Sequence, residues 1–374
     1  MREKKKAFKF IDSQKSLDEL VSALEHEKTI GIDTEFVRTR TYFPKLCLIQ
    51  IASTNTMSCI DCLADLDMSK LWSLIYSQDI EKILHSGSQD LEIFYMINKT
   101  LPSNMFDTQI AASLLGYPTQ IGIKNLLIEE LGISISKSET RSDWSKRPLD
   151  LKQIEYALED VNHLLNLHNV LEKKLKAKER YSWALEDSSR ILTNTKELFN
   201  PDSAWKRISG IKSLKNKNQH LAVTLATWRE QTAMQMDLPR QWVLSDQSLV
   251  ETAKKEPASL THLENIGITN RYLQKPELQE ILKLVKPYKE KTKEMGKLKP
   301  KFKKNYKIRF DTNLLNKFSK IVAKKANELK IFPEVLASKK DLLAMVQEKS
   351  NAKLLTGWRK KIIGSELNES LNNL

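Results

Sequence analysis

Short apolar runs alternate with amphipathic stretches over about the first 180 residues of this 374-residue chain. Three closely spaced apolar runs predict consecutive strands that are antiparallel neighbours in one sheet: TIGIDTEF, KLCLIQIAS and TMSCIDCL. The segments that follow predict a strand, a helix, and a strand that runs into a helix: KILHSG, SQDLEIFYMIN and NMFDTQIAASLLG. Alternating strands and helices are typical of an α/β domain.

The pattern becomes helical further along the chain. Apolar residues recur at helical spacing from Asp150 to about Lys178, which predicts one long helix. Strand patterns largely disappear after about residue 199, and two helical regions follow on either side of a basic, Pro- and Gly-containing segment. We therefore predict an α/β domain at 1–195, a helical domain at 200–287, a basic linker at 288–309 and a second helical domain at 310–374.

Positive charge is concentrated in one segment. The chain carries a net charge of +14, and residues 283–309 contain eleven Lys and one Arg against two Glu, which leaves +4 for the remainder. Neutralising phosphates releases counterions, so a polyanionic partner would explain this segment. The simpler alternative is a solvated linker that binds nothing.

The chain has no feature of a membrane or secreted protein. No apolar run approaches the roughly 18 residues that span a bilayer, and the basic start is not followed by an apolar signal region. Its three cysteines, Cys47, Cys59 and Cys62, cannot all pair with one another, which favours a reducing compartment. We expect a cytoplasmic protein without a membrane partner.

Two acidic residues interrupt the first predicted strand. Side chains two apart on a strand share a face, so Gly31, Asp33 and Glu35 lie on one side, and Ile30 and Ile32 on the other. Burying two like charges is costly unless positive charge neutralises them. Either this face is hydrated, or a cation binds there.

Three further polar residues suggest which alternative holds. Asp90 follows a Gly-containing turn near a predicted helix start, and Tyr156 and Asp160 lie four apart on one helix face. Together with the two strand acids they provide four carboxylates and a phenol. This set fits two-metal catalysis, in which Mg²⁺ or Mn²⁺ ions about 3.5–4 Å apart stabilise a phosphoryl displacement.

These residues lie within segments that resemble a known family. Five segments are similar, in order and spacing, to DEDD exonucleases with a tyrosine in the third motif, and within them to the ribonuclease D family: GIDTEF, HSGSQDLEIF, FDTQIAASLLGY, SDWSKRPL and QIEYALEDVNHLL. Three more resemble its two helicase-and-RNase-D C-terminal (HRDC) repeats: DSAWKRISG, LATWREQTAMQMDLPRQWVLSD and LLTGWRKKIIG. The resemblance implies an α/β RNase H-like 3′→5′ exonuclease domain followed by two all-α HRDC-type domains.

The resemblance also implies an activity. It implies a metal-dependent 3′→5′ exoribonuclease that uses two divalent ions, Mg²⁺ or Mn²⁺, to trim the 3′ ends of structured RNA and release nucleoside 5′-monophosphates. Precursors of tRNA are the substrates that it suggests. Two alternatives remain: a DNA-directed 3′→5′ exonuclease on the same fold, and a nucleic-acid-binding protein without catalysis.

Roles for the five residues follow from the same resemblance. Asp33 would bridge two metal ions, Glu35 and Asp160 would ligate one, and Asp90 would hold the other, partly through water. Tyr156 would orient the attacking water, because a phenol with a pKa near 10 is a poor base at neutral pH.

Other residues near this site are candidates for RNA contact. Phe36 follows the strand acids and either stacks on a terminal base or packs in the core. The loop SDWSKRPL either touches the RNA backbone or, through its tryptophan, packs against the start of the next helix; its candidates, with a preceding arginine, are Arg141, Trp144, Lys146 and Arg147. Asp107 is expected to be a helix N-cap and not a metal ligand.

Overall fold

A computed structural model of the chain describes residues 8–135, 142–214, 216–268, 272–290, 312–346 and 352–372. The chain divides into two compact units, and neither is a single continuous stretch. The first unit combines Met1–Val37, Leu46–Thr193 and Asn305–Leu374, and the second combines Arg38–Lys45 and Asn194–Lys304. This division differs from the linear plan above, whose boundaries remain predictions.

A six-stranded sheet forms the centre of the first unit. Its strands are β1 (Lys9–Ile11), β2 (Thr29–Val37), β3 (Lys45–Ala52), β4 (Met57–Asp61), β5 (Glu81–Leu84) and β6 (Met105–Asp107). Their order is β1-β4-β3-β2-β5-β6. Strands β3 and β4 are antiparallel, whereas β1 is parallel to β4 and β5 is parallel to both β2 and β6. The three predicted consecutive strands are therefore neighbours, and the α/β class is confirmed.

Helices pack on this sheet. Those that precede residue 200 are α1 (Gln14–Leu24), α2 (Ser69–Tyr76), α3 (Ser88–Asn98), α4 (Thr108–Leu115), α5 (Ile123–Leu131), α6 (Leu151–Asn162), α7 (Leu164–Ala177) and α8 (Tyr181–Leu198). The two faces of β2 are distinct, as strand alternation predicts. Ile30 and Ile32 belong to a buried cluster with residues of α1, α2 and α3. On the opposite face, a Cβ added at Gly31 would lie 3.2 Å from Leu164 Cβ and Leu165 Cδ1.

The prediction of one long helix after Asp150 is wrong. The backbone leaves helical geometry at His163, where φ is −107° and ψ is 0°, and this residue separates α6 from α7. Helix α6 contacts β2 and β4, while α7 contacts β2, β5 and α4. Two shorter helices can follow a twisted sheet where one straight helix could not. Apolar periodicity continues through the break, which is why the sequence concealed it.

The helices near the C-terminus pack in the same unit as the sheet. They are α14 (Thr312–Leu329), α15 (Pro333–Leu336), α16 (Lys339–Val346), α17 (Gly357–Arg359) and α18 (Ser365–Asn372), with a π-helical turn at Lys360–Gly364. Phe318 and Trp358 share a buried cluster with Leu167 of α7. Arg180 donates to the Leu114 carbonyl at 2.7 Å and to the Leu329 carbonyl at 2.8 Å. These helices thus complete the hydrophobic core of the α/β unit.

The second unit is mainly helical in its described residues. Two 3₁₀ turns, Pro201–Arg207 and Ile211–Ser213, precede α9 (Asn216–Met236), α10 (Arg240–Val243), α11 (Asp246–Lys255), α12 (Leu260–Glu264) and α13 (Lys275–Lys289). Tyr42, on the segment between β2 and β3, is 1% exposed in this unit's core. Its hydroxyl donates to Glu230 Oε1 at 2.6 Å, and the Arg240 guanidinium lies over its ring. Glu230 also accepts from Arg207 and Arg240, so its buried carboxylate is fully paired.

Most of the predicted basic linker at 288–309 lies outside the described residues, which stop at 290 and resume at 312. Within the described ranges, the helices are all too short or too polar to cross a bilayer.

Candidate active site

The candidate site begins on β2. Asp33 and Glu35 are half-buried on the strand face that α6 and α7 cover, whereas Thr34 between them is buried. Strand geometry alone accounts for the placement of the two acids. Both carboxyl groups are therefore held side by side by the regular backbone of a sheet-centre strand.

Asp90 reaches the same region from a helix start. It occupies the first turn of α3, where the positive end of the helix dipole favours a carboxylate. The side chain is 6% exposed, and Thr34 Oγ1 donates to its Oδ1 at 2.5 Å. A short bond to an ionised acceptor orients the carboxyl group.

Helix α6 contributes the remaining two residues. Tyr156 and Asp160 are half-buried and one turn apart, so they lie on the same helix face. The ring of Trp144 stacks on Tyr156, with 6.2 Å between centroids and 27° between planes. At the start of the helix, the Asp150 backbone N–H donates to Gln153 Oε1 at 3.0 Å. The phenol is thus fixed by packing as well as by its helix.

Electrostatic interactions connect the four carboxyl groups. Burial, followed by repulsion from Asp90, Asp160 and Glu35, raises the pKa of Asp33 well above its usual range. Burial, with repulsion from Asp160 and Asp90, raises the pKa of Glu35 to about 8. Burial raises the pKa of Asp90 to about 6 despite the hydrogen bond from Thr34. The structure therefore brings all four predicted acids within electrostatic reach of one another.

In the described part of the chain, no basic side chain forms an ion pair with Asp33, Glu35 or Asp90. Buried like charges without a counter-charge are costly, and hard divalent cations prefer such oxygen donors. As the side chains are placed, no three His, Cys, Asp or Glu among the described residues converge on one metal position. The donor chemistry fits divalent ions, and metal ligation itself remains a proposal.

Comparison with known proteins adds to this geometry. Residues 8–176 match the family model for a 3′→5′ exonuclease, and residues 218–285 match the model for an HRDC domain. Ribonuclease D of Bartonella henselae is 31% identical, over 97% of this chain and 90% of its own. Ribonuclease D of Gluconacetobacter diazotrophicus is 32% identical, over 95% and 91%. The chain belongs to the ribonuclease D family.

A solved structure supports the same assignment. Escherichia coli RNase D, described as an exoribonuclease involved in structured RNA processing, superposes with a TM-score of 0.89 at 29% identity, covering 98% of this chain and 99% of its own. The protein is accordingly a 3′→5′ exoribonuclease of the ribonuclease D family, with RNA as its substrate, and the predicted resemblance is confirmed. The first HRDC-type domain is confirmed within residues 218–285.

The predicted RNA-contact residues differ in how exposed they are and in which protein groups they contact. Phe36 is half-buried and Lys146 is exposed. Arg147 donates to both carboxylate oxygens of Asp61, at 2.6 and 2.5 Å, and thereby ties its loop to β4. Trp144 is 4% exposed, so its ring offers little surface to a base. Arg141 lies outside the described residues, and RNA contact by any of these side chains remains a prediction.

Thr34 is a site residue of this ribonuclease D family member that sequence reasoning missed. Alternation assigns it to the strand face opposite Asp33 and Glu35, and nothing local indicates a partner 56 residues away. The only signal in the sequence was a polar residue at a position where Ile30 and Ile32 predict an apolar one.

Proposed function

We propose that this exoribonuclease trims the 3′ ends of structured RNA, tRNA precursors in particular, and releases nucleoside 5′-monophosphates with the help of two divalent cations. The observation that carries the proposal is a cluster of four carboxyl groups in which the pKa values of Asp33, Glu35 and Asp90 are raised. Among the described residues, no basic side chain pairs with these three. The relative from Escherichia coli acts in structured RNA processing, which supports the choice of RNA class.

The position of each residue in the site suggests its role in the reaction. Asp33, Glu35, Asp90 and Asp160 would hold the cations, and the chemistry that bound divalent ions supply there is charge stabilisation of the attacking and leaving oxygens. The Tyr156 hydroxyl, held by the stack on Trp144, would orient the attacking water. Thr34 would orient the Asp90 carboxyl group through its hydrogen bond.

A product analysis tests this function. A 5′-labelled tRNA precursor with a 3′ trailer, the mature tRNA and a DNA of the same sequence are incubated with Mg²⁺ or Mn²⁺, with Asp33→Asn as the inactive control. We expect a ladder that shortens from the 3′ end of the precursor, stops near the mature end, and yields nucleoside 5′-monophosphates. Faster shortening of the DNA would favour a DNA-directed enzyme, and binding without shortening would favour a non-catalytic role.

Tyr156→Phe tests the assignment of the hydroxyl. Phenylalanine retains the ring that stacks on Trp144, so the aromatic packing at this position should be preserved. Turnover should fall by about 10²–10³, the usual effect of a positioned hydrogen-bonding group. The metal concentration for half-maximal activity should not change. A large increase in that concentration would instead make Tyr156 part of the metal-holding set.

The basic segment provides a second test, of RNA binding. Each lysine that contacts a phosphate contributes about 0.7 to the slope of log affinity against log salt on single-stranded RNA. Replacing four lysines with glutamine should therefore flatten the slope by about 0.7 × 4, or roughly 3 units. The four residues are Lys297, Lys299, Lys301 and Lys303.

Affinities are measured between about 50 and 200 mM salt, with Asp33→Asn in every protein so that the RNA survives. A matched control loses the same charge at four exposed lysines of the first unit, and its slope should equal that of the parent: Lys15, Lys28, Lys173 and Lys178. Equal slopes in all three proteins would show that the basic segment is only a spacer.

A further inference from the structure

The turn that delivers Asp90 to the site has an unusual backbone. Ser86, between β5 and α3, adopts a left-handed conformation with φ of 61°, which a non-glycine residue rarely does. At the next residue, Gly87, an added Cβ would lie 2.6 Å from Leu84 Cδ2. Such a turn persists only where the surrounding structure holds it. Something outside the turn must therefore determine where α3 begins.

The carboxylate of Asp107 is placed to do this. Asp107 ends β6, pairs in register with Leu84 of β5, and is 3% exposed. Its Oδ2 accepts from the Gly87 backbone N–H at 3.0 Å, and its Oδ1 accepts from the Ser86 N–H at 3.3 Å. Both bonds come from the turn that precedes Asp90.

The same carboxylate caps a second helix. Its Oδ1 also accepts from the backbone N–H groups of Gln109 at 2.8 Å and Ile110 at 3.1 Å, which confirms the predicted N-cap of α4. The Asp107 backbone N–H in turn donates to Ser188 Oγ at 3.1 Å. One buried carboxyl group thus connects the starts of α3 and α4 through four backbone donors, and hydrogen bonds of this kind are directional.

We propose that Asp107 is a positioning residue for Asp90: it fixes the turn at Ser86–Gly87 and so sets where the Asp90 carboxyl group stands. Thr34 orients that group from the side of β2, and Asp107 fixes its backbone from the side of β6. The proposal rests on the proposed role of Asp90 as a metal ligand. Asp107 itself is not a ligand, because the described hydrogen bonds of its carboxyl oxygens all come from backbone N–H groups.

Asp107→Ser separates the two tasks of this side chain. Serine is a good N-cap, so its single hydroxyl oxygen can still accept from the first turn of α4. It is too short to reach the Gly87 N–H as well. Asp107→Asn is the companion variant: its oxygen can serve one helix, but its NH₂ group would face the N–H of the other.

The first measurement needs neither metal nor RNA. In the metal-free full chain, backbone amides at 86–90 should exchange with deuterium at least tenfold faster in Asp107→Ser than in wild type. Amides of α4 should exchange at the wild-type rate. Unchanged exchange at 86–90 would overturn the proposal, whatever the activity of the variant.

The second measurement is the metal requirement of RNA shortening. Outer residues that orient a ligand typically change metal affinity by 10–100-fold, so half-maximal activity should require about tenfold more Mn²⁺ in both variants. The KM for RNA at saturating Mn²⁺ should stay within twofold of wild type. An unchanged Mn²⁺ requirement in a variant with a loosened turn would also overturn the proposal.

Ser338→Ala provides the matched control. Ser338 accepts from the Asp341 N–H at the start of α16, a helix that carries none of the candidate ligands. This variant should lose about as much thermal stability as the Asp107 variants, without any change in its Mn²⁺ requirement. If its Mn²⁺ requirement rose as much as theirs, their effect would be assigned to general destabilisation. Failure of the proposed function would differ from all of these results, since wild type itself would then show no metal-dependent shortening.

Discussion

Asp33→Asn and Asp160→Asn are each expected to reduce turnover by several orders of magnitude while RNA affinity stays close to wild type. Both replacements keep the shape of the side chain and remove its negative charge, which is what a divalent cation requires. Turnover and RNA affinity are measured separately in excess Mg²⁺. If either variant kept more than about a tenth of wild-type turnover, the assignment of that residue as a ligand would be wrong.

Asp33→Asn, which should lower turnover, should at the same time raise the stability of the metal-free protein. A carboxyl group whose pKa is raised by folding stabilises the protein while it is protonated, and this contribution is lost as the pH rises through its folded pKa. The pKa of Glu35 is about 8 and that of Asp90 about 6, and that of Asp33 is also raised. In chelator, the wild-type unfolding temperature should therefore fall as the pH approaches 8. Asp33→Asn should unfold at a higher temperature than wild type at that pH, because it removes repulsion from the cluster.

Asp61→Asn is the control for the direction of this stability change, because the opposite direction is expected there. Burial opposes ionisation of Asp61, but the hydrogen bonds and charge of Arg147, together with backbone N–H groups of Leu63 and Ala64, outweigh it and lower the pKa. Its charged form therefore stabilises the fold above its ordinary pKa, and the asparagine variant should be less stable at neutral pH. A loss of stability in Asp33→Asn as well would mean that the charge of Asp33 stabilises the metal-free protein, as that of Asp61 does, and is not repelled by the other acids.

Arg359→Met should destabilise the first unit by about 3–5 kcal/mol, the usual cost of leaving one member of a buried ion pair without its partner. Arg359 is 1% exposed, and it donates to both carboxylate oxygens of Asp187 at 2.5 and 2.7 Å. It also donates to the backbone carbonyls of Val335 and Leu336. The side chain thus connects α8 to the C-terminal helices.

Aromatic packing makes this junction part of the core. The Trp358 and Trp183 rings stack with 4.3 Å between centroids and 2° between planes, and the Arg359 guanidinium lies 4.0 Å from the Trp358 centroid. Because this junction is buried within the α/β unit, deleting the C-terminal helices would expose its core. Substitutions in the basic segment are for that reason a cleaner test of RNA binding than truncation.

Guanidinium chloride unfolding of the full chain measures the effect of Arg359→Met. Lys325→Met, which removes a half-exposed ion pair with Glu328 on α14, is the matched control and should cost less than about 1 kcal/mol. Combining Arg359→Met with Asp187→Leu should recover part of the loss, since the unpaired carboxylate is then gone. Equal, small effects of the Arg359 and Lys325 variants would show that the C-terminal helices contribute little to the stability of the unit.

Local chemistry in the sequence determined much of the fold and most of the site. Apolar runs and turn residues were sufficient for β2 to β6, for α3, and for the helix that begins after Asp107. Strand alternation placed Asp33 and Glu35 on one face of β2, and helical spacing placed Tyr156 and Asp160 on one face of α6. Each of these patterns extends over a few residues, so the sequence displays it directly.

Tertiary structure decided the features that depend on distant partners. The break at His163, the burial of Tyr42 in the helical unit, and the packing of the C-terminal helices on α8 leave no local pattern in the chain. Thr34 contacts the Asp90 side chain across 56 residues of sequence. Asp107 holds the turn before Asp90 across about 20 residues. Residues so far apart meet only after the sheet has assembled, and a buried polar group then takes whichever partner the fold provides, because leaving it unpaired would cost more than the bond contributes.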